Sequence, residues 1–196
     1  MSVVGNDTIS LASAAHNCFD LTYYRFHTGD LGRMDKEGWV RITGRIKEQY
    51  KLENGKYVVP TPIETAISMS RFITQVVLCG ANRPHNVALL VPEWPAIRAE
   101  LKIDDSVSEE DLANDARVKE LIDNEVSASC EGMKKFEVPK EWAFVAPFTA
   151  ANNMLTPKMS IRRHKVMEAY EDLISDLYGD DPIVTEAADG AHKVAA

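Results

Sequence analysis

The sequence has no run of about 18 consecutive apolar residues, the length that a helix needs to cross a bilayer, so no membrane span is predicted. Its opening residues, MSVVGNDTIS, lack the basic and apolar blocks of a secretory signal peptide. Cations are in the minority, with 22 Lys and Arg against 30 Asp and Glu and a formal net charge of −8. Nucleic-acid binding needs clustered cations that neutralise phosphates, so this balance argues against a nucleic-acid partner.

Cysteine is also scarce. The chain of 196 residues has three, Cys18, Cys79 and Cys130, which form neither a CxxC pair nor a disulfide framework. This usage indicates a reducing, intracellular compartment, either cytoplasmic or at the periphery of a membrane, and no targeting signal specifies which. The five histidines are scattered without the spacing of metal ligands, so no metal site formed by the protein is predicted.

Several catalytic motifs are absent as well. The sequence has no GxSxG nucleophile elbow, no GxGxxG dinucleotide loop and no GxxxxGK[ST] phosphate loop. These absences exclude the common α/β-hydrolase, Rossmann and Walker interpretations. What remains is an ordinary globular composition, 45% hydrophobic and 27% charged, with enough length for one good core or two small ones.

Hydrophobic patterning predicts an α+β fold. WVRIT alternates apolar and polar residues, which predicts the second strand of a hairpin whose turn lies in GRMDKEG. TQVVLCG and NVALLVP predict a pair of buried strands, and GKYVVP and EWAFVAPF predict two more. Strands and helices alternate without a regular βαβ repeat, so the predicted fold is a small mixed sheet flanked by helices and preceded by a β-hairpin.

Helix signals separate these strands. Pro62 suits a first helical turn and Glu64 the positive end of the helix dipole, which predicts a helix in PTPIETAISMS. PEWPAIRAEL predicts a second helix, and Ser108 is a candidate N-cap for a third. Apolar residues at three- and four-residue spacing predict a final helix over residues 166–177, ended by Gly179.

Three short stretches offer side chains for chemistry. TGDLG has two glycines that permit a tight turn and a close backbone approach, and Asp30 between them could accept hydrogen bonds from a ribose diol; an ordinary Asx turn is the alternative. GRIKE offers Arg45 for a phosphate or ribose oxygen and Lys47 for a domain joint; a charged strand end is the alternative.

The third stretch, LTPKMSIRR, places Lys158 in a loop before the final helix. A lysine there could stabilise negative charge that develops during acyl or phosphoryl transfer. The alternative is a solvated lysine, which the residues by themselves favour because a helix N-terminus does not attract a cation.

Taken in order, FHTGDLGRMDKEGWVRITGRIKE, KLENGKYVVPTPIE and LTPKMSIRR resemble the C-terminal part of the adenylate-forming enzymes. The chain is most similar to the long-chain fatty acyl-CoA synthetases, because KLENGKYVVP is typical of that branch. The resemblance runs from about Phe26 to Tyr178. It implies a two-step ligase in which a fatty acid and ATP form an acyl-adenylate and pyrophosphate, and coenzyme A then displaces AMP to give the thioester.

The resemblance also implies how the chain is divided. Residues 26–46 would end the large AMP-binding domain, and residues 47–179 would form the small C-terminal domain that closes over it and rotates between the two steps. Residues 1–25 are unassigned and expected to be poorly ordered, and residues 180–196 are expected to form a disordered tail. ATP or AMP, coenzyme A and Mg²⁺ are the ligands that the family implies, with the fatty acid as the second substrate.

Site roles follow from the matching positions. Asp30 matches the aspartate that binds the ribose hydroxyls, Arg45 the arginine that contacts the nucleotide, and Lys47 the hinge. Lys158 matches the mobile lysine that meets the carboxylate and α-phosphate oxygens during adenylation. A shifted register is the alternative: it places the family lysine two residues later, where this chain has Ser160.

The rest of the large domain has no counterpart in this sequence, since its phosphate loop and acyl tunnel are missing. We therefore expect a truncated product, a partial gene model or a free-standing small domain, inactive as a ligase without the missing N-terminal domain. A different class of function is a non-catalytic module that docks on or regulates a separate ligase domain. A third reading, an adenylating enzyme for an aryl or amino acid, is disfavoured by KLENGKYVVP.

Overall fold

The computed structural model describes residues 2–3, 9–13 and 26–179, with side chains from residue 28 onward. Residues 1–25, left unassigned by the sequence, contain two of the described strands, β1 (Ser2–Val3) and β2 (Ile9–Ser13). The predicted disordered tail, residues 180–196, lies outside the described residues. No helix in the described part of the chain is long and apolar enough to cross a bilayer.

A four-stranded antiparallel sheet opens the chain. It has the order β1-β2-β3-β4, where β3 is Phe26–Met34 and β4 is Val40–Arg45. The predicted hairpin is confirmed as β3–β4, and its turn is closed by a 2.8 Å hydrogen bond from the Trp39 backbone N–H to Asp35 Oδ1.

The tight turn that the glycines of TGDLG permit does not form, because these residues lie within β3, where Asp30 pairs with β4 and both Leu31 and Gly32 pair with β2 and β4. Gly29 does adopt a positive φ of 77°, and it lies where the pairing of β3 with β2 shifts register, between the pairs Leu31–Ser10 and His27–Ala12. The glycine freedom therefore bends and twists a strand rather than reversing the chain.

A short connecting region follows β4. It contains a 3₁₀ helix (Ile46–Glu48), the two-stranded ribbon of β5 (Tyr50–Lys51) and β6 (Tyr57–Val58), and helix α1 (Pro60–Ile67). The strand predicted in GKYVVP is confirmed as β6, and the helix predicted in PTPIETAISMS is confirmed as α1.

The helix α1 begins two residues earlier than Pro62, at Pro60, which is a favourable residue for a first turn. Glu64 consequently lies beyond the first turn, and its predicted role at the positive end of the dipole is wrong. Its carboxylate instead forms contacts with another strand and another helix, described below.

The mixed sheet predicted from the apolar runs is confirmed. Strand β8 (Asn86–Pro92) lies in the middle, antiparallel to β7 (Ile73–Cys79) and parallel to β9 (Pro139–Phe144). Because β8 has a neighbour on each edge and helices on both faces, it reads as an almost continuous apolar run.

Five helices follow in the described chain after α1. Their bounds are α2 (Trp94–Leu101), α3 (Glu109–Ala113), α4 (Ala116–Ser129), α5 (Arg163–Ala169) and α6 (Glu171–Tyr178).

Two of the predicted helix features are confirmed and one is wrong. Ser108 caps α3 by accepting a hydrogen bond from the Asp111 N–H, and Gly179 ends α6 at a φ of 70°. The single final helix is wrong, because the backbone leaves the helical region at Tyr170 (φ −116°, ψ 25°) and separates α5 from α6.

Alternate residues of β7 and β8 face two separate cores, as the two-residue period of a strand requires. One core lies under α1 to α4 and includes Val76, Leu78, Ala88, Leu90, Ile63, Ile97, Leu112 and Ile122. The other lies under α5 and α6 and includes Val77, Cys79, Val87, Leu89, Phe148, Leu155, Val166 and Ile174. The result is a three-layer α+β unit with the mixed sheet in the middle.

Candidate functional site

Asp30 and Arg45 are directly opposite each other on β3 and β4. Arg45 Nε lies 3.3 Å from Asp30 Oδ1, and the Asp30 N–H donates to Thr28 Oγ1 at 3.2 Å. The Asp30 side chain is 18% exposed and that of Arg45 is 65% exposed. The hairpin thus brings together the two residues that the sequence predicted as nucleotide-binding, with the carboxylate recessed and the guanidinium open to solvent.

This ion pair is suited to binding a ribose phosphate, and it adds little to the stability of the fold. An ion pair with one partner largely in water contributes less than about 1 kcal/mol. A carboxylate accepts two hydroxyl hydrogen bonds, and a guanidinium presents several N–H donors in a fixed fork. The arrangement can therefore accept from vicinal hydroxyls while donating to a neighbouring anionic oxygen.

Lys47 follows in the 3₁₀ helix between the two sheets, where it is exposed. This helix is held by a long hydrogen bond of 3.3 Å from the Gln49 N–H to the Ile46 carbonyl. The only side-chain bond that the described residues show for it runs from Thr61 Oγ1 to Glu48 Oε2, at 3.1 Å on the surface. Few contacts hold this connection, which is the property that a hinge requires.

Lys158 lies at the tip of a small hairpin. Leu155 and Ile161 form an antiparallel bridge, and the Thr156 N–H donates to the Ser160 carbonyl at 2.8 Å. The Met159 N–H donates to the Thr156 carbonyl at 2.8 Å, with Met159 at a φ of 62°. These bonds define a three-residue hairpin loop, Pro157 to Met159, in which the last residue is left-handed. Lys158 is exposed at its centre.

Ser160 occupies the flank of the same loop rather than its tip. Its backbone N–H donates to Thr156 Oγ1 at 3.1 Å, so the flank carries a bond that the tip lacks. Within the described residues, no hydrogen bond or ion pair joins Lys158 to Asp30 or Arg45. The hairpin of residues 155–161, called the lysine hairpin below, and the Asp30–Arg45 ion pair are therefore separate features of the chain.

The sequence analysis missed a partly buried ion pair close to this hairpin. Arg163 Nη2 donates to Glu64 Oε2 at 2.7 Å, and Arg163 Nη1 donates to the Leu78 carbonyl at 2.9 Å. Glu64 Oε1 accepts from the Leu78 N–H at 2.6 Å. Burial by itself lowers the pKa of Arg163, but the hydrogen bond and charge of Glu64 outweigh it, so the pKa is raised. The partners are 99 residues apart, and no local pattern could have paired them.

A second polar network was also missed. Asn86, which is fully buried, accepts from Tyr50 Oη at 2.8 Å and donates to the carbonyls of Phe136 and Glu137, both at 2.9 Å. Desolvation raises the pKa of Tyr50, so its hydroxyl stays protonated and donates. Among the described residues, no cluster of three or more His, Cys, Asp or Glu side chains is placed to hold a metal ion.

The β3–β4 hairpin, together with Ile46 directly after it, exposes an apolar face. Its members are the exposed side chains Met34, Trp39, Val40, Ile42 and Ile46, and Trp39 alone is 77% exposed. Single exposed apolar residues are ordinary on a protein surface, but five within 13 residues of chain form a patch that marks a contact surface.

Comparison with known proteins identifies the relatives of this chain. It is 33% identical over 159 residues to fatty acyl-CoA synthetase B of Dictyostelium discoideum, covering 78% of this chain and 24% of the relative. It is also 33% identical over 159 residues to long-chain-fatty-acid–CoA ligase 5 of Mus musculus, covering 78% and 23%. The chain thus spans about a quarter of the length of the curated relatives it matches.

Solved structures agree on the fold. The adenylation domain of a carboxylate reductase from Mycobacterium chelonae superposes with a TM-score of 0.65 at 23% identity, over 80% of this chain and 23% of that one. A two-domain fragment of carboxylic acid reductase from Segniliparus rugosus, solved with AMP, gives 0.64 at 25% identity, over 79% and 20%.

A family model matches the chain as well. The family model described as the AMP-binding enzyme C-terminal domain matches residues 47–182, which begins at the 3₁₀ helix and includes the mixed sheet and both helical layers. The chain therefore belongs to the adenylate-forming enzymes, in the family of AMP-binding enzyme C-terminal domains.

Proposed function

We propose that this chain supplies the C-terminal domain of a long-chain fatty acid–CoA ligase. The observation that carries the proposal is the pairing of Asp30 with Arg45, directly followed by a weakly held 3₁₀ helix that contains Lys47. The named relatives at 33% identity support a fatty acid as the substrate class.

Each proposed role uses a side chain that is at least partly exposed. Asp30 accepts hydrogen bonds from the ribose hydroxyls of ATP, and Arg45 donates to a nucleotide oxygen. Lys47 lies at the hinge about which the small domain turns. The ammonium of Lys158 approaches the fatty acid carboxylate and the α-phosphate, two anions whose mutual repulsion it screens while the new bond forms.

The reaction would proceed in two steps. The carboxylate oxygen attacks the α-phosphorus, the bond to pyrophosphate breaks, and the acyl-adenylate forms. The thiolate of coenzyme A then attacks the acyl carbon, and AMP leaves. Mg²⁺ would accompany the ATP phosphates, and the described residues offer it no carboxylate cluster.

We propose the same division of the chain that the sequence implies, with residues 26–46 belonging to the large domain and residues 47–179 forming the mobile small domain. The apolar hairpin face would pack against the rest of that large domain. Without this partner no substrate is positioned against Lys158, so the chain alone should have no ligase activity.

The test uses the whole chain mixed with the N-terminal fragment of the Dictyostelium relative, truncated before its matched segment. Fatty-acid-dependent pyrophosphate release is measured for the fragment alone, the chain alone and the mixture. Activity in the mixture but in neither component by itself supports the proposal. Full turnover by the chain by itself contradicts it. Binding without activity would favour the alternative, a non-catalytic module that docks on a ligase domain.

Two variants decide whether position 158 or position 160 is the position of the catalytic lysine. If Lys158 is the catalytic cation, Lys158→Ala should lower adenylation in the mixture by about 10²–10³-fold, the usual effect of removing one group that stabilises developing charge. If the shifted register is correct, Lys158→Ala should be silent and Ser160→Lys should raise adenylation by a similar factor. Neither variant should alter folding, because both side chains are exposed.

A further inference from the structure

Strand β7 is an edge of the mixed sheet, so some of its backbone groups have no partner strand. At Leu78 these groups are satisfied by two side chains: the N–H donates to Glu64 Oε1 and the carbonyl accepts from Arg163 Nη1. Glu64 and Arg163 also bind each other, so three elements meet at one point: α1, β7 and α5. We call Glu64, Arg163 and the Leu78 backbone the edge clamp.

The two side chains of the edge clamp are largely removed from water, with Glu64 15% and Arg163 24% exposed. Each of the two side chains bonds to the other and to one backbone group of Leu78, which compensates their desolvation. Arg163 opens α5, where a cation opposes the helix dipole, and the carboxylate of Glu64 offsets that cost.

The edge clamp joins two parts of the chain that the proposed reaction uses. Glu64 lies on α1, the first helix after the 3₁₀ hinge, whereas Arg163 follows directly on the lysine hairpin. The base of that hairpin is closed by Arg162, the residue before Arg163, whose N–H donates to the Met154 carbonyl at 2.8 Å. Glu64 and Arg163 therefore form a direct side-chain link between α1 and the start of α5, next to the base of the hairpin.

We infer that Glu64 and Arg163 are positioning residues for the lysine hairpin. They hold it at a fixed place relative to the hinge, so that the tip of the hairpin is correctly placed when the small domain closes. This inference rests on the proposed function for its catalytic consequence. Its structural part, the control of hairpin mobility by the clamp, can be measured without any activity.

The first experiment is hydrogen exchange on the full chain with Arg163→Met, Arg163→Lys and, as control, Arg71→Met. Arg71 also pairs with a glutamate, Glu100, but on the exposed surface. We expect Arg163→Met to accelerate exchange of the hairpin amides of Thr156, Met159 and Ser160 by about tenfold or more while the β8 amides keep their protection. Arg163→Lys should restore part of the protection, and Arg71→Met should change neither set.

The second experiment separates the two half-reactions in the mixture with the relative's large fragment. Arg163→Met and Glu64→Gln should slow adenylation by about 10–100-fold, the effect of a small misplacement of a catalytic group. Thioester formation from supplied acyl-adenylate and coenzyme A does not use the lysine, so its rate should be preserved.

A purely structural role gives a different result. Equal acceleration of exchange in the hairpin and in β8, or equal loss of both half-reactions, would overturn the inference. So would unchanged hairpin exchange in Arg163→Met. Failure of the proposed function shows differently, as an inactive mixture or as insensitivity to both Lys158→Ala and Ser160→Lys, and in that case hydrogen exchange still decides the role of the clamp.

Discussion

Replacing Asn86 by leucine should destabilise the small domain substantially, because this residue connects three parts of it. Its carboxamide joins β8 to Tyr50, just beyond the hinge, and to the carbonyls of Phe136 and Glu137 ahead of β9. Leucine has the same branched arrangement of heavy atoms, with bulkier methyl groups, but neither donates nor accepts, so it removes all three bonds without opening a cavity.

The size of the stability loss follows from the number of hydrogen bonds removed and from the burial of Asn86. Each of the three hydrogen bonds contributes roughly 1 kcal/mol net, and Asn86 is 0% exposed, so water cannot replace them. The groups left unpaired add to the loss, whereas the greater apolar character of leucine offsets part of it. We expect a decrease of about 2–4 kcal/mol in the free energy of unfolding, equivalent to roughly 5–15 °C in Tm for a domain of this size.

Urea unfolding followed by tryptophan fluorescence measures this change, with Asn124→Leu on the exposed surface of α4 as the matched control, expected within about 0.5 kcal/mol of wild type. Tyr50→Phe completes a double-mutant cycle, in which the coupling energy with Asn86→Leu should exceed about 0.5 kcal/mol. A loss below about 1 kcal/mol for Asn86→Leu, or strict additivity with Tyr50→Phe, would refute the reasoning.

Two further predictions concern the same region. Gly80→Ala should cost about 1–3 kcal/mol in urea unfolding, because a Cβ there would lie 2.3 Å from Asn86 Oδ1 and 3.0 Å from Tyr50 Cε2; a cost near zero would contradict the close approach. Burial, the largest cause, raises the pKa of the Cys79 thiol from 9.0 to about 12, so the folded state keeps a proton that the unfolded state loses. The stability linked to this thiol is complete below pH 9.0 and is lost as the pH rises toward about 12. Urea midpoints should therefore fall more steeply over that window in wild type than in Cys79→Ala, and equal slopes would contradict the assignment.

Much of the fold could be predicted because its signals are local. The apolar runs of β7 and β8 and the glycine-containing turn between β3 and β4 specify their own conformation over a few residues. The mixed sheet follows once EWAFVAPF is recognised as a strand, since β9 then pairs with β8. Fold class and family were accordingly accessible from the sequence.

The errors arose where a local signal has two structural outcomes. Positive φ at Gly29 serves either a turn or a bulged strand, and the choice depends on the neighbouring strands β2 and β4, which no local window contains. Helical spacing likewise continues across Tyr170, although the chain bends there between α5 and α6. Glu64 was placed by its sequence distance from Pro62, whereas its real partners, Leu78 and Arg163, come from β7 and α5.

The candidate site divides in the same way. Asp30 and Arg45 were proposed from separate motifs, and the register of β3 and β4 makes them neighbours, which the residues alone could not show. The roles of Asp30, Arg45, Lys47 and Lys158 stay predictions until the variants are measured.

The hairpin gives the two lysine registers different physical meanings. A lysine at position 158 extends from the loop tip, where its backbone N–H has no bond to the facing strand, whereas position 160 is held on the flank by Thr156. A tip lysine can therefore sweep a wider volume, and a flank lysine reaches fewer positions but with less entropy to lose on binding. In either register the cation is carried by the same hairpin, whose base is closed by Arg162, next to Arg163 of the edge clamp. The consequence of the edge clamp for adenylation is thus independent of which position bears the charge, and a register shown to be wrong by Ser160→Lys leaves the expected effect of Arg163→Met on the hairpin unchanged.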